Sequence, residues 1–206
     1  MKSFKQFLAE DQWYEDPQFN YGSNLATFKE KVKGNEGFSS KIYKDVYGNK
    51  TIGFGALVDP SLPKTLRSVF PDKPKGWEQQ ITGGKTEITR DEAEQLKDYQ
   101  ATQKFDQIRK ALGQDVFDRL HNEVQVGLAD ANYRGSMLGK SGSPKTMELI
   151  RQGNLRAAGK EFLNSAEYRQ AKASGKMGGI PKRMEDFSNA LIKHADYSNP
   201  YLPPVK

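Results

Sequence analysis

Two carboxylates and a hydroxyl are concentrated in residues 36–55, which read EGFSSKIYKDVYGNKTIGFG. Glu36 precedes a glycine, Asp45 lies just before a Tyr-Gly-Asn turn, and Thr51 follows the turn. Glycoside hydrolysis needs one carboxylic acid that protonates the leaving oxygen and one carboxylate that activates water or attacks carbon. The stretch therefore contains the groups that this chemistry requires, and a gap between them could hold a sugar and a water.

The pattern of this stretch predicts the end of a helix, a strand, a tight turn and a returning strand. Ahead of it, Ser23 or Asn24 can cap a helix that continues to about Asn35. The apolar residues of that helix share one face: Leu25, Phe28 and Val32. We expect this helix to deliver Glu36 to the site and the hairpin to deliver the other two groups.

The same stretch closely resembles the catalytic segment of the T-even phage lysozymes, glycoside hydrolase family 24. In that family a Glu-Gly is followed by Tyr-x-Asp, then a Gly, then Thr-Ile-Gly-x-Gly. The matching positions here are Glu36, Gly37, Tyr43, Asp45, Gly48, Thr51, Ile52, Gly53 and Gly55. The resemblance implies that Glu36 is the general acid and that Asp45 with Thr51 holds the attacking water. It also places Gly55 and Leu57 along the substrate cleft.

The resemblance extends from about Leu25 to Leu191 and leaves an insert at residues 59–84 unmatched. Within it, Asn132 corresponds to an amide residue that contacts substrate in that family. Arg183, in an Ile-Pro-Lys-Arg sequence, matches an arginine that approaches the catalytic glutamate. The insert is rich in Pro, Gly and Lys, so we expect it to be extended and partly irregular.

The strongest helix signal is the capping box that begins at Thr89 and precedes a helical apolar pattern up to Gly113. Further helices are predicted over 116–131, from Pro144 to Gly153, over 155–168 and from Pro181 onward. The resemblance implies an α+β, mostly helical, lysozyme-like fold. In that fold a small β-hairpin lobe is joined by a long helix to a helical lobe.

Composition narrows the class of protein. The chain has 206 residues, a formal charge of +6 and no cysteine, which excludes disulfides and thiolate metal sites. No apolar run approaches the length of a membrane span. The positive charge predicts attraction to a polyanion such as cell wall, nucleic acid or an anionic membrane. The two histidines, His121 and His194, are far apart in the chain, so we expect no metal site and no cofactor.

The ends of the chain are predicted to be accessory segments. Met1–Glu10 resembles the leader that targets internal proteins into the prohead of T-even-like phages, with Leu8-Ala9-Glu10 as the site for the maturation protease. Prohead scaffold and that protease are therefore expected partners. Residues 11–24 are predicted to be a linker, 25–195 the catalytic domain, and the proline-containing residues 196–206 an extended tail.

The resemblance thus implies a lysozyme that cleaves the β-1,4 bond between N-acetylmuramic acid and N-acetylglucosamine in peptidoglycan, with inversion. We expect the enzyme in the phage virion interior or in the infected host cytoplasm, with the periplasmic wall as its target. Two alternatives stay open, a noncatalytic wall-binding or head protein that keeps the fold and a basic DNA-associated head protein. The basic residues are dispersed among acidic ones, so nucleic acid is not an expected partner.

Overall fold

The structure, a computed structural model, describes residues 21–33, 37–45, 48–138, 142–174 and 179–196. In chain order the helices are α1 (Tyr21–Lys33), α2 (Leu62–Val69), α3 (Trp77–Thr82), α4 (Arg90–Leu112), α5 (Gln114–Asp118), α6 (Asn122–Tyr133), α7 (Pro144–Arg151), α8 (Leu155–Leu163), α9 (Ala166–Ser174) and α10 (Ile180–Lys193). The strands are β1 (Ser39–Lys44), β2 (Lys50–Gly53) and β3 (Ala56–Leu57). The predicted α+β, mostly helical fold is therefore confirmed.

The chain divides into two compact units. One, the sheet unit, comprises residues 29–103, and the other, the helical unit, combines residues 1–28 with residues 104–206. Helix α4 contributes residues to both units, as predicted for a long joining helix. The predicted leader lies outside the described residues, as do the linker up to residue 20 and the tail from residue 197. Within the described part of the chain, no helix has the length and apolar content needed to cross a membrane.

The sheet is antiparallel, with strand order β1-β2-β3. Tyr43 of β1 lies opposite Thr51 of β2, and Thr51 in turn lies opposite Leu57 of β3. Because directly paired residues point to the same face of a sheet, these three form one row across it. The neighbouring pair, Ile52 with Ala56, points to the other face and into the core. The predicted hairpin is confirmed, and β3 is an addition to it.

An apolar core lies under the sheet. Its buried members are Ile52, Ala56, Leu62, Leu66, Phe70, Ile81, Ile88, Ala93 and Leu96. Most of these residues come from the sheet, from α2 and α3, and from the first half of α4, while Phe70 directly follows α2 and Ile88 precedes α4. The core therefore fixes the hairpin against helices from the segment that the family resemblance leaves unmatched.

The expectation of an extended insert at 59–84 is wrong, because this segment contains α2 and α3. The Asp59 carboxylate accepts hydrogen bonds from the backbone N–H groups of Ser61 (2.8 Å) and Leu62 (3.1 Å), which opens α2. Pro63 lies in the first turn of α2, where a missing N–H costs nothing. Leu62 and Leu66 then enter the core, so burial outweighs the high Pro and Gly content.

Helix α4 begins with the predicted capping box. The Thr89 hydroxyl accepts from the Glu92 backbone N–H (3.2 Å), and the Glu92 carboxylate accepts from the Thr89 backbone N–H (2.8 Å). Lys73 forms an ion pair with the same carboxylate. The start of α4 is thus tied to the segment between α2 and α3.

The predicted cap at Ser23 or Asn24 is not observed, because α1 already includes Tyr21. Asn24 is buried, and its side-chain amide donates to Gln125 Oε1 (2.9 Å) and Asn122 Oδ1 (3.2 Å) in α6. A buried polar side chain needs hydrogen-bond partners, and the two side chains of α6 provide them for Asn24. Asn24 therefore joins the two chain segments of the helical unit.

Helix α10 packs closely on α6 and α8 in the helical unit. A Cβ atom added at Gly127 would lie 2.5 Å from Cδ2 of Phe187, and one added at Gly159 would lie 2.8 Å from the carbonyl oxygen of Ser188. The Ser188 hydroxyl donates to the Gly159 carbonyl at 2.8 Å. Phe187 also packs edge-on against Phe162, with 4.9 Å between ring centroids. Glycines thus set the spacing of these helices.

Candidate active site

Asp45 directly follows β1, and its carboxylate is held by Asn49 at the other end of the turn. Asn49 donates its backbone N–H to Asp45 Oδ1 (2.8 Å) and its side-chain amide to Asp45 Oδ2 (3.0 Å). Asp45 N–H donates to the Asn49 carbonyl, and Gly48 N–H donates to the Asp45 carbonyl, both at 3.0 Å. These four bonds fix the direction of the carboxylate. A carboxylate can accept about four hydrogen bonds, so one fixed in this way has the capacity to hold a water as well.

Thr51 lies on the same side of the sheet as Asp45. The backbone bond between Asp45 and Asn49 continues the β1-β2 pairing two residues beyond the pair of Tyr43 with Thr51. Because side chains alternate with a period of two, the carboxylate and the hydroxyl share a face. Thr51 is 2% exposed, and its hydroxyl is 3.4 Å from the Tyr43 carbonyl, to which it donates. The structure therefore groups two of the three predicted catalytic residues on one face.

The turn from β2 to β3 depends on glycine. Gly53 has a φ of +67°, and a Cβ atom added there would lie 3.0 Å from Cβ of Ala93. Gly55, also at positive φ (+91°), lies in the same turn. The turn carries the chain into β3, where Leu57 is 50% exposed and extends the row that contains Thr51. Leu57 thus presents an apolar surface next to the polar groups, and its contact with substrate stays a prediction.

Glu36, the predicted acid, lies outside the described residues, as do Val46 and Tyr47 in the turn after Asp45. The described chain resumes at Gly37, two residues before β1. The role of Glu36 stays a prediction that rests on its position in the sequence motif.

Asn132 and Arg183 both lie in the helical unit, where each has a partner of its own. Asn132 is buried in α6, and its side-chain amide donates to the Lys104 carbonyl of α4 at 2.8 Å. Arg183 in α10 pairs with Asp130 of α6, with Nε 3.3 Å from Oδ2 and Nη2 bonded to Oδ1. The substrate contact of Asn132 and the support that Arg183 gives to Glu36 stay predictions.

Asp130 is a residue that the sequence analysis did not single out. It is 1% exposed, and a second guanidinium, that of Arg134, has its Nε 3.8 Å from Asp130 Oδ2. Arg134 Nη1 also lies 3.7 Å from Glu167 Oε1. Helix α6 is buried almost all round, and acidic residues are rarely buried without a partner. The sequence could have predicted a buried ion pair here, because Asp130 lies among small and apolar residues of a predicted helix.

Residues 33–186, well over half of the chain, match the family model described as phage lysozyme. The matched range includes every residue placed in the candidate site, namely Glu36, Asp45, Thr51, Gly55, Leu57, Asn132 and Arg183. No curated protein matches the chain.

Proposed function

The chain belongs to the phage lysozyme family, the peptidoglycan hydrolases of phages, and from this premise we propose that it is an endo-β-1,4-N-acetylmuramidase. Its substrate is the bond between N-acetylmuramic acid and N-acetylglucosamine. The T-even type, glycoside hydrolase family 24, is the proposed subgroup, because residues 36–55 carry the motif of that type.

In the proposed reaction, Glu36 donates its proton to the glycosidic oxygen as that oxygen leaves the anomeric carbon. A water held by Asp45 and Thr51 attacks the same carbon from the opposite face and passes its proton to Asp45. The observation that supports this assignment is that Asn49 donates a hydrogen bond to each carboxylate oxygen of Asp45, on the face shared with Thr51. A carboxylate held in this way is suited to orient water and poorly suited to reach and donate to a leaving group.

We also propose roles for the outer residues of the site. Leu57 offers its exposed side chain to the apolar face of a sugar ring, and Gly55 keeps the adjacent backbone accessible to substrate. Asn132 contacts substrate through its side-chain amide, one N–H of which already donates to the Lys104 carbonyl. Arg183 is a supporting residue of the site, and its two hydrogen bonds to Asp130 hold its guanidinium group in place.

Three variants test the catalytic assignment. Glu36→Gln and Asp45→Asn keep the shape of each side chain but remove the proton donor or the negative charge. Each should lower the release of reducing ends from purified peptidoglycan by about 10³-fold, within the range of general acid-base catalysis. Glu87→Gln is the matched control, because Glu87 is an exposed carboxylate of the same unit, bound to Ser40 and Lys41. Circular dichroism checks that each variant folds.

The outcomes separate the proposed function from its alternatives. Products with N-acetylmuramic acid at the reducing end, identified by mass spectrometry, support a muramidase. Parental activity in Glu36→Gln would overturn the assignment of the acid. Binding to sacculi with no release of reducing ends by the parent chain would favour the noncatalytic wall-binding alternative.

The stereochemistry is a separate test. Water attack opposite to the leaving group inverts the anomeric carbon, so the first product of the β-linked substrate should be the α-anomer. NMR of the fresh digest distinguishes the two anomers before mutarotation. A β-anomer, or a sugar covalently bound to Asp45, would contradict the water-holding role.

The biological setting that we propose is degradation of the host wall at the start of infection or at lysis. A packaged enzyme would be found inside purified virions, cut after Glu10 and starting at Asp11. Mass spectrometry of particle proteins tests this. A chain detected only in infected cells would assign the enzyme to lysis.

A further inference from the structure

Two histidines and a glutamate meet at one place in the helical unit, and none of them is among the residues assigned to catalysis. The ligand atoms of His121, Glu123 and His194 all lie within 4.8 Å of one another. The two imidazole rings are stacked, with centroids 3.5 Å apart and planes at 11°. His194 Nε2 lies 3.1 Å from Glu123 Oε2. Three potential metal ligands of two types are therefore already grouped.

The helix ends hold these residues in place. His121 caps α6, where its Nδ1 accepts from the Glu123 backbone N–H at 3.3 Å, and Glu123 lies in the first turn of that helix. His194 caps the C-terminal end of α10. The close packing of Gly127 on Phe187 fixes the two helices against each other. Glu123 and His194 are 71 positions apart in the chain, so tertiary structure and not sequence spacing creates the cluster.

The chemistry of the donors favours a transition metal. Two imidazole nitrogens and one carboxylate oxygen form a set that Zn²⁺, Ni²⁺ and Cu²⁺ accept, and Zn²⁺ commonly adds water as a fourth ligand. Metals bind neutral imidazole and ionised carboxylate.

We propose that His121, Glu123 and His194 bind one divalent transition-metal ion, with Zn²⁺ as the reference ion. One ring nitrogen of each histidine and one Glu123 oxygen are the protein ligands. Binding requires the stacked rings to turn so that their in-plane lone pairs converge at about 2.0 to 2.1 Å from the ion. The ion then links the start of α6 to the end of α10.

Lys193 gives the proposal a specific signature. Its ammonium group lies 2.8 and 3.0 Å from the two Glu123 oxygens, and so it competes with a metal for the same carboxylate. Removal of this cation should free Glu123 for the ion and reduce repulsion. Lys193→Met is therefore expected to bind Zn²⁺ more tightly than the parent chain.

Isothermal titration calorimetry of the full chain with ZnCl₂ tests the site. The chain has only two histidines and no cysteine, so imidazole ligation has no other location. We expect one equivalent to bind with a Kd below about 100 µM. His121→Asn, which keeps a good N-cap acceptor, and His194→Gln should each weaken binding at least about tenfold, a loss that even outer-shell changes produce.

A control variant and the results that would contradict the zinc site complete the test. Glu148→Gln, at an exposed carboxylate that binds Arg151 and Gln152, should leave the Kd unchanged. A melting temperature that rises with ZnCl₂ in the parent but not in His194→Gln would give independent support. No binding at about 1 mM ZnCl₂, or binding in both histidine variants as tight as in the parent, would overturn the site. Equal binding in Lys193→Met, Glu123→Gln and the parent would overturn the three-ligand set.

Discussion

Asn49 donates two hydrogen bonds to Asp45, one from its backbone to Oδ1 and one from its side chain to Oδ2. Because each carboxylate oxygen has its own donor, rotation of the carboxylate about its last bond is restricted. The backbone bond belongs to the turn itself and survives any substitution other than proline. The side-chain bond can be removed by itself, which makes the orientation of Asp45 open to experiment.

Asn49→Ala should lower kcat for peptidoglycan hydrolysis by about tenfold while leaving the fold intact. The expected loss is smaller than for a change of Asp45, because general acid-base catalysis as a whole contributes about 10² to 10⁴. Ser61→Ala is the matched control, since it removes a 2.6 Å hydrogen bond to the loop carboxylate Asp59. Equal activity in both variants would show that Asn49 does not position the catalytic carboxylate.

Asp130→Asn should lower the free energy of unfolding by roughly 3 to 5 kcal/mol, because it leaves Arg183 and Arg134 without their buried anion. Urea denaturation followed by circular dichroism measures the change. Asp186→Asn is the control, because the exposed i,i+4 pair of Lys182 with Asp186 contributes about 0.3 to 0.5 kcal/mol. Similar losses in both variants would contradict a structural role for the buried pair.

Thr89→Ala should cost about 1 kcal/mol, the usual loss of an N-cap hydroxyl, and lower Tm by roughly 2 to 4 °C for a chain of this size. Thr102→Ala in the same helix provides the comparison. The Thr102 hydroxyl donates to the Asp98 carbonyl within α4 (2.9 Å), and alanine is the better helix former there. Differential scanning calorimetry should therefore show a loss of stability only for the change at position 89.

The carboxylate of Glu92 should make the free energy of unfolding fall as the pH decreases. Burial by itself would raise the pKa of Glu92, but hydrogen bonds from Lys73 and Thr89 hold it below the ordinary value of 4.5. The unfolded chain then takes up a proton at a higher pH than the folded chain does. Stability from this group is thus fully present above about pH 4.5 and is lost as the pH falls through the lower, folded value.

The corresponding variant is Glu92→Gln, which keeps an oxygen that can accept from Thr89 N–H but loses the charge that Lys73 contacts. Its deficit in unfolding free energy relative to the parent should be largest near neutral pH and should shrink as the pH falls below about 4.5. Urea titrations at several pH values measure it. A deficit that stays constant over this range would contradict the lowered pKa.

Local signals in the sequence predicted much of the fold. The Thr89 and Glu92 capping box, the proline at the start of α7 and the hairpin from Ser39 to Gly53 involve residues that are close in the chain. Their partners can therefore be recognised from spacing alone. The grouping of Asp45 with Thr51 also followed from the hairpin, because register determines which residues share a face.

Other features depended on partners that are distant in the chain. Asn24 resembles a helix cap until its amide partners in α6 are known. Pro63 resembles a helix breaker until Leu62 and Leu66 are seen to enter the core. Arg183 and its partner Asp130 are 53 positions apart in the chain. No periodic pattern identifies such pairings, since they arise when separate segments pack together.

The helical unit is assembled from two separate parts of the chain, residues 1–28 and 104–206. Asn24 finds its amide partners about a hundred positions later, and the ring of Phe28 packs on Phe105 and Tyr133. A ribosome delivers residues 29–103 as one uninterrupted stretch, so that unit can complete its contacts while synthesis continues. The first part of the helical unit has to wait, with Phe28 uncovered, until Phe105 and Tyr133 have emerged. Translation speed through residues 104–133 therefore sets how long a nascent chain is exposed to aggregation.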